Sequence, residues 1–526
     1  MSDHSHVALT ELVAPASSSS RDILTAAKGG GIVFFGDLFA YACRFVFGIV
    51  VARAIGAAGY GLYDLGVTAS LVLAGVAVLG LPSAIVHFLP VAASNRDEDR
   101  IWGMLQVSVA LGGAFGLVLA LVTFLTAGWA AEHLFHEPAL APMLRIASAS
   151  IPLVALGRIL QATAQGFKEM RYIVYADSIF FNVGKLLLTL PLLIAGWGAT
   201  GALVAYVVTW IGEAGLLVHY VNRLFSLRRS FHGTLRNPRQ LLSFSLPMWL
   251  QGLLTRFGTQ IELLLMGMLG TIVSVGVYSS ALRIQMIGSM LLRAVQTAAK
   301  PIISDLYHRG EYTQLNRLYR TLTKWALVFN LPFFLTIVLY ARPVLAIFGE
   351  EFTAGMSALV VMAVGTLVSA GTGISGSVIA MTGHSKLSLV NAVASLTLSV
   401  TLDVLLIPAW GLVGGAMAFG LTIAAMGIVR LLEVYWLHGF WPYDFTFGKL
   451  LVGGCVASVF GFVANRLAPA DLNLFYLVLN IALLWSSYAG MILLLGLSEE
   501  DQMVVDRIKR QFSARVLRAK AFKQSS

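Results

Sequence analysis

The chain has 526 residues, 58% of them hydrophobic and 12% charged, with a net charge of +10. Soluble domains carry about 25% charged residues, so an ordinary soluble protein is excluded. The apolar runs are too long and alternate too little for a β-barrel, which leaves an all-α integral membrane protein. In a soluble protein the positive charge would suggest nucleic acid. Here the basic residues lie mostly in short loops and the C-terminal tail, so they report topology, and no nucleic-acid partner is expected.

Residues 1–28 are polar, with Asp3, Glu11, Asp22 and the run Ser17 to Ser20. They read as a flexible cytoplasmic tail and lack the pattern of a signal peptide. Apolar runs then begin near Gly31, Leu62, Ile101, Leu140, Tyr172, Thr200, Gln240, Val275, Thr321, Gly355, Leu387, Leu412, Leu450 and Leu474. At roughly 20 residues per crossing they predict about fourteen transmembrane helices. With the N-terminus inside, Arg96, Arg100, Lys168, Arg171, Arg223, Arg228, Arg229, Arg309, Arg317, Arg320, Lys324, Lys386 and Lys449 fall on the cytoplasmic side. Only Arg53, Arg342 and Arg466 fall outside. This bias predicts that both termini are cytoplasmic.

Several crossings carry polar residues on one face. The first has Asp37, Tyr41, Arg44 and Gly48; the fourth Arg158, Gln161 and Gln165; the fifth Ser178, Asn182, Lys185 and Thr189. The seventh has Gln251, Thr255, Thr259 and Glu262, with Arg256 beside them. The eighth has Ser279, Arg283, Met286, Met290, Arg293 and Thr297. The eleventh has Asn391, Ser395, Ser399 and Asp403. Steps of three and four residues place each set on one stripe. A charge in hydrocarbon costs at least about 3 kcal/mol, so such stripes face a cavity or a partner helix. The arginines predict a cavity between two lobes that receives an anion; the plainer reading has them snorkel to the interface or pair with Glu262. The acids Asp37, Asp64, Asp177, Glu213, Glu262 and Asp403 need a cation or a proton, through ion pairs such as Asp37 with Arg44 or through ion coupling.

Three apparent motifs carry no chemistry. Gly371-Thr372-Gly373-Ile374-Ser375-Gly376 fits a nucleotide fingerprint literally, but lies in an apolar run and reads as helix packing or a hinge. His133 and His136 have no third ligand nearby, and Cys43 and Cys455 stand alone in apolar runs, so neither a metal nor a disulfide is expected. The tail from Glu499 to Lys523 patterns as a basic amphipathic helix on the anionic inner leaflet.

The chain repeats at an offset of about 215 residues: Gly61-Leu62-Tyr63 matches Gly276-Val277-Tyr278, and Trp197-Gly198-Ala199-Thr200-Gly201-Ala202 matches Trp410-Gly411-Leu412-Val413-Gly414-Gly415. Gln165-Gly166-Phe167-Lys168 resembles Thr382-Gly383-His384-Ser385-Lys386 in the same order. This divides the chain into an N-lobe (29–222, helices 1–6), a basic linker (223–240), a C-lobe (241–437, helices 7–12), two further helices (438–497) and a basic tail (498–526).

Two pseudo-symmetric six-helix lobes, a basic loop between them, arginines on the first and eighth helices and two extra C-terminal helices resemble the oligosaccharide flippases, relatives of the lipid II flippases and the multidrug and toxin extruders. The resemblance covers roughly residues 28 to 496. It implies an undecaprenyl-pyrophosphate-linked oligosaccharide as cargo, flipped for polysaccharide or lipopolysaccharide biosynthesis, with polysaccharide polymerase and glycosyltransferases as working partners. Pyrophosphate suits arginine in charge and geometry, and the implied cavity ligands are Arg44, Arg256, Arg283, Arg293, Lys185 and Gln251. The implied coupling or ion-pair acids are Asp37, Glu262 and Asp403, with H+ or Na+ in place of a cofactor. A cation-coupled drug extruder is the alternative, though it would favour acids over arginines. A membrane polymerase or ligase would need a large outer loop with a nucleophile and base, so bond-making catalysis is not expected.

Overall fold

A computed structural model describes residues 18–226, 238–256, 258–467 and 474–496, and every regular element among them is a helix. Apolar sequence in hydrocarbon must satisfy its own backbone donors and acceptors, which the helix does within one segment. In chain order the α-helices are α1 (Ser18–Ala77), α2 (Leu81–Ser94), α3 (Glu98–His133), α4 (Leu140–Ser148), α5 (Ser150–Gly166) and α6 (Met170–Ile173). A π-helical segment, Val174–Phe181, joins α6 to α7 (Asn182–Ile194), followed by α8 (Gly198–Leu224), α9 (Pro238–Arg256), α10 (Gly258–Leu269), α11 (Ile272–His308) and α12 (Tyr312–Ala346). A 3-10 turn, Glu350–Gly355, leads into α13 (Met356–Thr372), then α14 (Ser375–Met381), α15 (Ser385–His438), α16 (Thr446–Leu467) and α17 (Leu474–Leu494).

The all-α class expected from composition is the one found. Among the described residues eleven helices are long and apolar enough to cross a membrane, against fourteen crossings expected from the apolar runs. The difference lies at breaks. The 60 residues of α1 would run about 90 Å if straight, three times the hydrocarbon thickness. A non-helical Gly56 (φ 69°) divides it, as Gly411 (φ 53°) divides the 54-residue α15. The apolar helices α2 and α10 and the apolar stretch of α9 are shorter than a crossing. α1 reaches back to Ser18, into residues read from sequence as a tail; Ala26, Ala27 and Lys28 favour helix and continue directly into the first apolar run. Residues 227–237 of the basic linker and the amphipathic tail beyond 496 lie outside the described residues.

The chain forms two compact units. One comprises Met1–Ala54 and Gly66–Leu253; the other comprises Ile55–Leu65 and Leu254–Ser526. The first unit packs Leu89, Ile101, Trp102, Leu105, Ile159 and Leu241 into one core. Small residues let its helices approach: a Cβ on Gly112 would stand 2.5 Å from Ile159, and one on Gly116 2.9 Å from the Pro152 Cα. The second unit centres on Tyr319, Leu322, Ile374, Val378, Leu431 and Val434. Its tightest crossing is between Gly61 and Gly276, where a Cβ on either would overlap the partner helix's backbone at Ile272 or Ala57. These two glycines are equivalents in the sequence repeat. Leu117, Leu121 and Leu125 of α3 and Val459, Phe460 and Phe462 of α16 are exposed, as expected of faces solvated by lipid.

The glycine-rich run Gly371–Gly376 is a hinge and a packing point. Gly373 (φ 68°) separates α13 from α14, and a Cβ there would overlap the Thr323 side chain.

Candidate functional site

In the first unit, α1 faces the π-helical segment and α7. The approach is close at Gly36, where a Cβ would stand 2.6 Å from Val174. About two turns further along α1, Arg44 donates from Nε to Asn182 Oδ1 at 3.1 Å and stands 3.9 Å from an Asp177 carboxylate oxygen. Asn182 is held in turn, because its Nδ2 donates to the Asp177 and Ser178 carbonyls at 2.8 and 3.0 Å. A π-helical register shifts backbone hydrogen bonding by one residue, and such segments often mark functional sites. Here a side-chain amide fills two carbonyls of that segment and presents its oxygen to Arg44. Lys185, buried one turn beyond Asn182, lies 4.0 Å above the Phe47 ring. Arg44 is thus oriented by Asn182 and remains 42% exposed at its side chain. Asp37 lies on the same helix and is exposed, and Asp177 is a second carboxylate on the Arg44 side of the facing helix.

The first unit also buries Glu213 on α8, to which Gln161 of α5 donates at 2.9 Å. The polar face read on the fourth crossing therefore contacts an acid on the sixth.

In the second unit, Arg283 of α11 meets Asp64. One terminal nitrogen donates to both carboxylate oxygens, at 2.9 and 3.2 Å. The guanidinium also lies 5.4 Å from the Tyr60 ring. With Asp64 at 9% and Arg283 at 23% side-chain exposure, this is a charge-balanced, largely buried pair. Glu262, the partner suggested from sequence, is engaged elsewhere. It accepts from Ser399 at 3.0 Å and from Tyr278, more weakly, at 3.4 Å. Ser399 stands 3.5 Å from Asp403, which is fully buried. Asp403 Oδ1 has no hydrogen-bond partner among the described residues. The serine has one proton and gives it to Glu262 at the shorter distance. Two carboxyl groups so placed are compatible only if a proton or a cation joins them.

Arg293 is exposed on α11, where its carbonyl accepts from Thr297 at 2.9 Å. The side chains of Arg256 and Gln251 lie outside the described residues. Of the sequence-derived candidates, Arg44 and Lys185 come together on one facing pair of helices, and Glu262 and Asp403 on another. Asp64 was recognised in the sequence only as a buried acid. Its pairing with Arg283 joins residues 219 apart, which no local spacing signals. Tyr278 appeared only as a repeat match.

This fold is that of polytopic transporters. A structure titled lipid II flippase MurJ, inward closed conformation, superposes with a TM-score of 0.71 at 14% identity, over 88% of this chain and 98% of that one. An inward-facing multidrug resistance MATE family transporter of the MOP superfamily gives 0.64 at 17%, over 76% and 94%. A family model described as polysaccharide biosynthesis protein matches residues 26–307, and a MatE model matches 247–405. The chain belongs to the polysaccharide biosynthesis protein family, the family its sequence resembles. Among curated relatives, the probable low-salt glycan biosynthesis flippase Agl15 of Haloferax volcanii is 24% identical over 42% of this chain and 46% of its own length. Stage V sporulation protein B of Bacillus subtilis is 27% identical over 42% and 45%. The chain thus spans about half the length of the curated relatives it matches.

Proposed function

We propose that the chain is a flippase that carries an undecaprenyl-pyrophosphate-linked oligosaccharide across the bacterial cytoplasmic membrane by alternating access. Arg44 and Lys185 form part of a cationic binding surface for the pyrophosphate. The observation that carries this reading is the Arg44 guanidinium, oriented by Asn182 yet 42% exposed, with buried Lys185 one turn along the facing helix. Arginine offers pyrophosphate a planar fork, and lysine a compact charge. Arg293, Arg256 and Gln251 remain candidates for the same surface. Arg283 is a weaker one, because an anion would have to displace Asp64. The name of the Haloferax relative, a glycan biosynthesis flippase, supports the class of cargo.

The buried pair Glu262 and Asp403 would take the coupling ion, H+ or Na+, with Ser399 between them as relay or ligand. The chain performs no bond chemistry in this scheme and needs no organic cofactor. Both termini lie in the cytoplasm, and polymerase and glycosyltransferases act on either side of the translocation step. A second reading, a cation-coupled drug extruder, is favoured by the acids Glu262 and Asp403 together with the MatE match across residues 247–405.

The test is complementation of a strain lacking the gene, reading polysaccharide export and membrane abundance together. Arg44→Ala should abolish most export at normal abundance. Normal export from the Arg44→Ala/Lys185→Ala variant would remove the anion surface and leave the extruder, whose signature would be cation resistance lost in Glu262→Gln.

A further inference from the structure

The first four turns of α12 carry Arg317, Arg320 and Lys324 at steps of three and four, on one helical face. Like charges so spaced repel, and cations are disfavoured towards a helix N-terminus. The structure nevertheless gathers them. With Thr313, Asn316 and Thr321 of the same helix, and Asp444, Thr446 and Phe447 from the segment entering α16, they line a cavity of about 260 Å³. Lys324 is only 6% exposed, whereas Arg317 and Arg320 are exposed. Arg320 is oriented by the Trp441 carbonyl, which accepts from its Nε at 2.8 Å. The lining sets three cations against one acid, Asp444. Asp444 Oδ1 accepts from the Thr446 amide at 2.9 Å and from its hydroxyl, capping α16. Asn316 Oδ1 is buried and accepts no hydrogen bond among the described residues.

The cavity therefore sets the exposed guanidinium groups of Arg317 and Arg320, hydroxyl donors and one waiting acceptor around one space. That set fits a phosphate ester whose neighbouring atoms include a hydroxyl. Its place in the fold indicates depth. Residues 312–339 of α12, up to the break at Tyr340, span about 42 Å, beyond the roughly 30 Å of hydrocarbon, so these first turns can stand in the headgroup layer. Beside the cavity, the Trp441 and Tyr443 rings lie 5.3 Å apart and Tyr443 and Phe447 5.2 Å apart. Phe445 projects 99% exposed. Such aromatic clusters favour the membrane–water interface.

We propose that this cavity is a binding site for a phosphate ester at the membrane surface, taking the phosphate of an anionic glycerophospholipid or a free phosphate ester of the same kind. The site is independent of the Arg44 surface, and its occupancy does not rest on the transport reading.

The experiment uses the purified full chain and four proteins: wild type, Arg317→Gln at the rim, Arg317→Gln/Lys324→Gln, and Arg342→Gln near the other end of α12 as a charge control. Retention of phosphatidylglycerol against phosphatidylcholine is read by native mass spectrometry. Thermal protection by glycerol 3-phosphate is read in parallel. Wild type and Arg342→Gln should retain phosphatidylglycerol, or be protected by glycerol 3-phosphate, alike. Arg317→Gln should weaken that binding about tenfold, as expected for one charge-assisted contact. The rim variant keeps the test valid if replacing buried Lys324 prevents folding. Protection by glycerol 3-phosphate would identify a soluble ester; retention of phosphatidylglycerol without it would identify the lipid. Undiminished binding in Arg317→Gln, or neither ligand bound by wild type, would overturn the site.

Discussion

Two pairs of facing helices occupy equivalent places in the repeat and carry opposite chemistry. In the first unit α1 faces the π segment and α7, with Arg44 and Lys185 against Asp177 and Asn182. In the second, α10 faces α15, with Glu262 and Asp403 sharing Ser399. The repeat offset of about 214 residues takes Phe47, which lies under Lys185, close to Glu262, and takes Lys185 itself close to Ser399. Residues 258–269 and 388–410 contain no lysine or arginine at all. One architecture thus holds Arg44 and Lys185, beside Asp177, on one copy and two acids in segments without lysine or arginine on the other. In the proposed function an anionic cargo and a cationic coupling ion would be two uses of one helix pairing. The Asp64–Arg283 pair is a third case, balanced within itself, and serves as the structural control.

That contrast can be broken by substitution, and the largest effect should fall on the control pair. Arg283→Ala strands a buried carboxylate and should cost about 3–5 kcal/mol, seen as loss of folded protein from the membrane. Asp64→Asn/Arg283→Met should recover much of that abundance. If Arg283→Ala were abundant and specifically export-defective, Arg283 would belong with Arg44 instead.

Next in size are the cations of the first unit. Arg44→Ala and Lys185→Ala should each weaken cargo binding by about 1.5–3 kcal/mol while abundance stays near normal. Arg44→Lys, which keeps the charge and loses the fork, should fall between wild type and alanine. Equal export from Arg44→Lys and Arg44→Ala would mean that shape, and not charge, is recognised.

For the acids of the second unit, Glu262→Gln and Asp403→Asn preserve volume and hydrogen bonding but cannot exchange a proton or bind a cation strongly. Export should then lose its response to an imposed proton or sodium gradient, measured in membrane vesicles, while cargo binding is retained. A gradient response that survives both changes would place coupling elsewhere. The smallest effect belongs to Tyr278→Phe. It removes a 3.4 Å hydrogen bond and should shift the thermal midpoint by the equivalent of less than about 1 kcal/mol.

Much of this was legible in the sequence. The all-helical class, the polar stripes and the repeat follow from periodicity, because a lipid-facing surface forbids polar residues and leaves the stripes conspicuous. Gly61 and Gly276 were marked as equivalents, and in the structure their backbones meet. Gly198 and Gly411, also equivalents, share a left-handed conformation with φ of 54° and 53°. Partners across the fold were not legible. Spacing tells which face Arg283 occupies on its own helix; that Asp64 meets it there depends on how distant helices pack. The π-helical segment before Asn182 was not legible either, since Val174–Phe181 is as apolar as the α7 that follows it.

The most direct test of the opposite-charge account is binding by the purified protein in lipid nanodiscs. Two ligands are compared, undecaprenyl pyrophosphate carrying an oligosaccharide and undecaprenol carrying the same oligosaccharide without phosphate. Wild type should prefer the pyrophosphate form at least about tenfold, and Arg44→Ala/Lys185→Ala should lose that preference while Glu262→Gln keeps it. Equal affinity of wild type for the two ligands, or a preference lost in Glu262→Gln and kept in the double variant, would contradict the account.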